Sequence, residues 1–173
     1  RRSCELAHEL GIDRLTLLAG LPEGAPGDRA QCWVVARFPG FNGPILEWQW
    51  AERVLPYWRE HGRVAEAHGC RLCFEMHPSD VVYNPATLLR LREEVGEVIG
   101  CNLDPSHIFW QGIDPVEVVR HLGDAIYHVH AKDTRVQERN VRLNGVLEVT
   151  PSLPLADRGW VFRTVGYGHG EDF

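Results

Sequence analysis

Residues 98–133 read VIGCNLDPSHIFWQGIDPVEVVRHLGDAIYHVHAKD, and the way this stretch divides decides the fold. An apolar run, VIGCNL (98–103), ends at Asp104. Asp114 and Pro115 then open a helix that Gly123 closes, and a second apolar run, AIYHVH (125–130), ends among titratable groups. An aspartate cap, a proline in the first turn and a glycine after the last turn mark a helix with a defined start and stop. Strand, helix and strand over about 30 residues is the βαβ unit, whose crossover makes the strands parallel and the connection right-handed. Both strand runs are nearly continuous in apolar character, so both faces of the sheet are expected to be covered.

The unit repeats upstream. CRLCFEM (70–76) is a strand run, and NPATLLRLREEVG (84–96) is a helix with Asn84 as cap, Pro85 at its first position, apolar residues at 88, 89, 91 and 95, and Gly96 at its end. Strand starts therefore fall near Cys70, Val98 and Ile126, an interval of 28 residues each time. SCELAHELG (3–11) and IDRLTLLAG (12–20) add one more helix and strand, giving about four parallel strands in a single α/β domain over 1–173. Residues 20–44, rich in proline and glycine, form an inserted loop. A helix over 45–68 follows, with Trp50, Val54, Trp58 and Ala65 along one side, and Pro56 is expected to kink or divide it. These tryptophans read as core packing rather than as a platform for stacking sugars.

The 173 residues are 44% hydrophobic and 24% charged, an ordinary balance for a globular protein. A net charge of −6 without any run of lysine or arginine argues against nucleic acid as a partner. No apolar stretch approaches the roughly 20 residues of a membrane-spanning helix, so no membrane partner is expected. Cys70 and Cys73 form a lone C-x-x-C inside a strand run; a zinc ribbon needs a second pair, and a redox motif sits at a helix start. The five cysteines read as buried thiols, which points to a reducing, cytoplasmic compartment. Arg1 has no methionine before it and the chain stops after VGYGHGEDF, so it reads as a piece of something longer. Open sheet edges then predict a homo-oligomer or association through those edges.

Three strand runs end in potential ligands: Glu75, Asp104 and His130, separated by 29 and 26 residues. Adjacent parallel strands lie about 4.8 Å apart, so equivalent C-terminal positions are expected to become neighbours on the ligand-binding face of an α/β sheet. One such residue is more often a hydrogen-bonded structural group. Three in matching positions favour a divalent metal site. Side-chain alternation puts His77 on the face of Glu75, and His128 and Lys132 on the face of His130. His107, three residues past Asp104, falls in the turn over the strand end, while Cys73 lies deeper and reads as core. Carboxylates and imidazole without thiolate suit manganese, magnesium, cobalt or zinc.

FEMHP (74–78), NLDPSHIFWQGIDP (102–115), HVHAKDTR (128–135) and RTVGYGHGEDF (163–173) together resemble the sugar phosphate isomerase/epimerase family, the xylose-isomerase-like TIM barrels. AGLPEGAPGDR (19–29) and ILEWQWAERVLPYW (45–58) extend the similarity. The resemblance implies the central portion of a (β/α)8 TIM barrel. It also implies metal ligation by Glu75, Asp104 and His130, with manganese first among the ions. Glu75 would in addition exchange a substrate proton. His107 matches a histidine that contacts a substrate oxygen, and His77, Lys132, Asp133 and Arg135 fall where members place substrate-binding groups. Family members add a second glutamate on a later strand, beyond the last residues of this sequence.

The implied activity is metal-dependent isomerisation or epimerisation of a sugar or sugar-like polyol, a small-molecule carbohydrate, by proton transfer through an enediolate. A lyase or dehydratase resembling inosose dehydratases is an alternative on the same fold, and a truncated, non-catalytic product is another. A relative of the endonuclease IV type would need more ligands and a cluster of metals. Residues 134–165 read either as a covering segment over the site or as a plain connection, with Asn144-Gly145 in NVRLNGVLEV (140–149) giving a hairpin signal. The glycines of GYGHG (166–170) suit a mobile loop and lack the spacing of a phosphate-binding fingerprint.

Overall fold

The structure is a computed structural model that describes residues 1–169; residues 170–173, which complete the motif RTVGYGHGEDF, lie outside the described residues. The chain forms two compact units, Arg1–Leu103 with Leu122–His128, and Asp104–His121 with the residues from Val129 onward.

The first unit is built on a four-stranded sheet in the order β1-β2-β3-β4, from β1 (Arg14–Leu17), β2 (Arg71–Glu75), β3 (Ile99–Leu103) and β4 (Ile126–Val129). β1 pairs with β2 and β2 with β3 in parallel, Leu17 standing opposite Phe74 and Glu75 opposite Asn102. Every residue of β3 is buried, as an apolar run covered on both faces requires. Helices α1 (Arg2–Glu9), α2 (Asn42–Gln49), α3 (Leu55–Ala67) and α4 (Pro85–Val95) complete the unit. Its core gathers Trp50, Trp58, Phe74, Met76, Leu88, Leu91 and Ile99. Trp58 meets Phe74 edge to face at 4.6 Å and donates its indole N–H to the Ala19 carbonyl at 3.2 Å. The tryptophans at 50 and 58 are core, as expected.

Pro56 divides the long helix in an identifiable way. Between α2 and α3 the backbone widens into a π turn, Trp50–Val54, and the Leu55 N–H reaches back five residues to the Trp50 carbonyl. Proline has no N–H to continue the regular ladder, and the wider turn ends immediately before it. The helical stretch also begins at Asn42, three residues earlier than the pattern predicts, because Gly43-Pro44 sits in its first turn, where no intrahelical N–H is needed. The preceding loop is pinned by Gln49. That buried amide donates to the carbonyls of Pro22, Glu23 and Cys32 at 3.2, 3.1 and 2.7 Å.

Asn84 caps α4 in both directions: its Oδ1 accepts the Thr87 N–H at 3.0 Å, and the Thr87 hydroxyl accepts the Asn84 N–H at 3.2 Å. Gly62 of α3 lets this helix approach α4, since a Cβ there would lie 2.8 Å from Val95 Cγ1. All five cysteines are free; Cys4, Cys70, Cys73 and Cys101 are buried and Cys32 is half-buried. Burial pushes the Cys70 and Cys73 thiols up, and the Cys101 thiol up to about 12. The C-x-x-C pair is thus a pair of inert core thiols.

The second unit contains the single turn α5 (Ser106–Phe109), most of α6 (Pro115–Leu122), α7 (Glu138–Asn144) and an antiparallel ribbon of β5 (Asp133–Val136) with β6 (Trp160–Arg163). Asp114 caps α6 as the sequence predicts, its Oδ1 accepting the N–H groups of Val116 and Glu117. Trp110 and Trp160 stack at 4.5 Å with their planes 4° apart. The hairpin expected at Asn144-Gly145 does not form. Residues 138–144 are helical, Glu138 and Arg142 pair at 2.7 Å one turn apart, and Gly145, at φ 74°, ends the helix instead of turning a ribbon. Gln137 and Asn140 fasten this helix to the carbonyls of residues 155, 156 and 158. The antiparallel pair in the region is β5 with β6, whose strands are 23 residues apart along the chain.

Tyr127 of β4 lies across Gly100 of β3, where a Cβ would stand 2.1 Å from the ring. Its hydroxyl donates to the Glu97 carbonyl at 2.6 Å and meets Arg92 Nη1 at 2.8 Å, while Arg71 sits over the ring at 4.7 Å. Gly100→Ala is therefore expected to lower the unfolding free energy by about 2–3 kcal/mol, the overpacking range. In urea denaturation the double variant Gly100→Ala/Tyr127→Ala should be more stable than the sum of the single effects. Strict additivity would show that the ring and the glycine are not in contact.

Candidate functional site

Each unit carries one part of the polar equipment. In the first unit Glu75 is the last residue of β2, half-buried, and directly opposite Asn102 in the β2–β3 register. Asn102 is fully buried. Its Nδ2 donates to Glu75 Oε2 at 3.1 Å and its Oδ1 meets His128 Nδ1 at 3.0 Å, so one amide links three successive strands. An amide nitrogen only donates, so the oxygen faces His128 and the imidazole carries its proton on Nδ1. His77 follows β2 in a tight turn in which its N–H donates to the Val82 carbonyl at 3.1 Å and its carbonyl accepts from Asp80 at 3.0 Å. Burial pushes the Asp80 carboxyl up, against the opposing pull of His77 and a backbone hydrogen bond from Gly20.

In the second unit the centre is Asp104, the residue after β3, only 3% exposed. Its Oδ1 accepts the Ser106 N–H at 2.9 Å, which fixes the side chain at the mouth of α5. Its Oδ2 faces three cationic or potentially cationic groups: His107 Nε2 at 3.5 Å, Lys132 Nζ at 3.8 Å and His130 Nδ1 at 4.0 Å. Lys132 and the two imidazoles give this buried carboxyl group polar neighbours. The His130 and Lys132 side chains keep 43% and 37% of their surface exposed, so the cluster opens to solvent on their side. Phe162 of β6 forms its wall: the Lys132 ammonium sits 3.7 Å from the ring centroid, and His107 meets the ring edge-on at 5.3 Å.

The donor set fits a divalent cation. Asp104 Oδ2 and His130 Nδ1 lie 4.0 Å apart, too far for a hydrogen bond and close enough for a small side-chain movement to bring both within ligand distance of one ion. Carboxylate and imidazole are also the right ligand types for manganese, magnesium, cobalt or zinc.

Asp133, which the resemblance set among the substrate-binding groups, is engaged here by backbone and imidazole. It is fully buried, and its carboxylate accepts the N–H groups of Thr134, Gly166, Gly168 and His169. It also pairs with His169 Nδ1 at 2.9 Å. A carboxylate so engaged anchors the Gly166–Gly168 loop. The His169 ring stacks on Phe109 at 3.7 Å. Gly168 has a backbone reason to be glycine, since a Cβ there would lie 2.4 Å from Asp133 Oδ1. Arg135 is exposed on β5, opposite Val161. The structure thus brings Asp104, His107, His130 and Lys132 together, sets Glu75 with Asn102 and His128, and turns Asp133 to the loop. Sequence reasoning missed Asn102 and Phe162. Asn102 was visible as the lone amide in the apolar run 98–103; Phe162 had no local signal.

The chain belongs to the xylose isomerase-like TIM barrel family, whose model matches residues 1–173. Its four-stranded sheet and helices form a partial barrel of that type. The protein YfiH of Bacillus subtilis, which is uncharacterized, is 41% identical over 170 residues, covering 96% of this chain and 54% of its own length. The chain spans about half the length of the curated relatives it matches. Among solved structures, the probable 3-DHS dehydratase AsbF of Bacillus anthracis matches with a TM-score of 0.56 at 20% identity, over 92% of this chain and 53% of that one. An L-ribulose 3-epimerase matches with a TM-score of 0.55 at 19% identity, over 75% and 39%. At these identities the two structures establish the shared fold.

The loop anchor has a pH signature. Burial raises the Asp133 carboxyl, and the His169 ring with the N–H groups of Gly168, Thr134 and His169 outweighs it, holding the carboxyl below its usual range. A depressed carboxylate contributes stability that is full above the ordinary value of about 3.9 and is lost as pH falls through the lower folded value. Protection of the Gly166 and Gly168 amides, relative to their intrinsic exchange at each pH, should therefore fall below about pH 4. Asp133→Asn should cause the same loss at neutral pH, with about 2–3 kcal/mol of stability. Unchanged protection in that variant would remove Asp133 as the anchor.

Proposed function

We propose that this chain carries metal-binding residues and one proton-transfer residue, Glu75, of a metal-dependent isomerase or epimerase acting on a sugar or sugar-like polyol, an incomplete share of that enzyme's site. The observation that carries the reading is the Asp104 cluster: a buried carboxylate after β3 whose Oδ2 is ringed by His107, His130 and Lys132. In this proposal Glu75, Asp104 and His130 hold a divalent cation, manganese first. Glu75 ends the strand next to β3, in register with Asn102, which supports assigning it to the same set. The bound cation would act as a Lewis acid on a carbonyl and its neighbouring hydroxyl.

The protein groups do the rest. Glu75 takes the proton from the carbon beside the carbonyl, acting as general base, and an enediolate of the substrate results. His107 and Lys132 face the developing negative charge on oxygen, the His107 ring steadied by Phe162 and the Lys132 ammonium held over the same ring. His77 and exposed Arg135 are assigned to outer substrate groups. Epimerisation returns a proton to the other face of that carbon, which needs a second proton donor besides Glu75; elimination of a hydroxyl from the same enediolate, with loss of water, would instead make a dehydratase. Free, mostly buried thiols support a reducing, cytoplasmic setting. No helix among the described residues is long and apolar enough to cross a membrane.

Calorimetric titration with Mn2+ tests the site. Asp104→Ala and His130→Ala should each lose at least about tenfold in affinity, while Lys132→Met should bind at least as tightly, because it removes a competing cation 3.8 Å from Asp104 Oδ2. Equal binding by the alanine variants would sink the ligand assignment. The reaction class is read from deuterium wash-in at the carbon beside the carbonyl of ketoses, in the protein as it occurs naturally, with Glu75→Gln as control. Loss of water without wash-in would select the dehydratase.

A further inference from the structure

Asn102 stands between two residues that the sheet brings to either side of it, and its amide is used at both ends. It is fully buried on β3; it donates from Nδ2 to Glu75 Oε2 on β2 at 3.1 Å and accepts at Oδ1 opposite His128 Nδ1 on β4 at 3.0 Å. An amide that rotates by half a turn exchanges donor and acceptor. Here such a turn would set the Asn102 oxygen against the Glu75 carboxylate, two acceptors in contact, and would require the proton of His128 to leave Nδ1. The two ends therefore enforce each other. The acceptor carboxylate selects the orientation of the amide, and the Nδ1–H of His128, donating to Oδ1 from the other side, holds it there.

We propose that Asn102 and His128 form a positioning relay that fixes the plane of the Glu75 carboxylate, so that Glu75 meets the metal and the substrate carbon in one orientation. The inference rests on the assignment of Glu75 made above and adds two positioning residues to it. Neither residue touches substrate or metal in this proposal; both act through Glu75. A buried group that orients a metal ligand commonly accounts for a 10–100-fold change in metal affinity. In this case the orienting group is an amide rather than a carboxylate, which leaves the total charge around the ion unchanged.

The experiment has two arms. The first needs no metal: long-range nitrogen–proton correlation NMR of the histidine rings in the wild-type chain should show His128 as the Nδ1–H tautomer, and in Asn102→Leu it should shift toward the Nε2–H form. A wild-type His128 in the Nε2–H form would overturn the relay whatever the metal does, and it holds even where the variant folds poorly. The second arm measures Mn2+ affinity by calorimetry. Asn102→Leu should bind 10–100-fold more weakly and His128→Phe several-fold more weakly, and the double variant should be no worse than Asn102→Leu alone. Losses that multiply in the double variant would show that the two residues act separately and would also overturn the relay. Absence of Mn2+ binding in the wild type, with the tautomer as expected, would reject the metal assignment and leave the relay standing as an arrangement around Glu75.

Discussion

Parallel pairing of β2 with β3 is the constraint from which the rest of the first unit follows. Two parallel neighbours need a long crossover, and the chain supplies it as a capped helix, Asn84 and Pro85 opening it and Gly96 closing it. Parallel pairing also leaves no face for water, so β3 is buried throughout and its one polar side chain, Asn102, must find partners within the sheet. It finds them on both sides. On the other side of β3, β4 brings Tyr127 down onto Gly100, where any side chain would collide. Register and polar satisfaction are thus one problem with one solution.

The second unit solves a different problem, holding irregular chain in place with charge. Asp104 and Asp133 are both buried carboxylates, and they are satisfied in opposite ways. Asp133 is closed in by backbone N–H groups and one imidazole. Asp104 gives one oxygen to the backbone and turns the other toward side-chain nitrogens at 3.5–4.0 Å, distances at which each partner is still able to rearrange. The first pattern is that of an anchor and the second that of a cluster whose partners are side chains.

Much of the fold was legible because its signals are local. The caps at Asn84 and Asp114 and the 28-residue interval between strand starts name the strands and helices without reference to anything distant. The failure at Asn144-Gly145 has the same origin. That dipeptide turns a hairpin or stops a helix equally well, and the deciding contacts, from Gln137 and Asn140 to carbonyls of residues 155–158, lie far along the chain. Asp133 was unreadable for a related reason, since its partners at 166–169 are more than thirty residues away. Within the candidate site the repeat named the strand-end residues. It did not name Phe162, whose strand β6 lies outside the repeat and whose ring becomes important only because Lys132 rests on it.

The buried cysteines give the sheet a clock. Cys101 lies in the middle of β3 with its thiol pushed up to about 12, so the reactive thiolate is strongly disfavoured at neutral pH even if reagent could reach it. Cys73, on the neighbouring strand, is completely buried and shifted the same way. Modification of either sulfur must wait for the strands around it to part. Half-buried Cys32, on the loop pinned by Gln49, answers to a far smaller fluctuation. One chain therefore carries two chemical timers, a fast one for loosening of the loop and a slow one for opening of the central sheet.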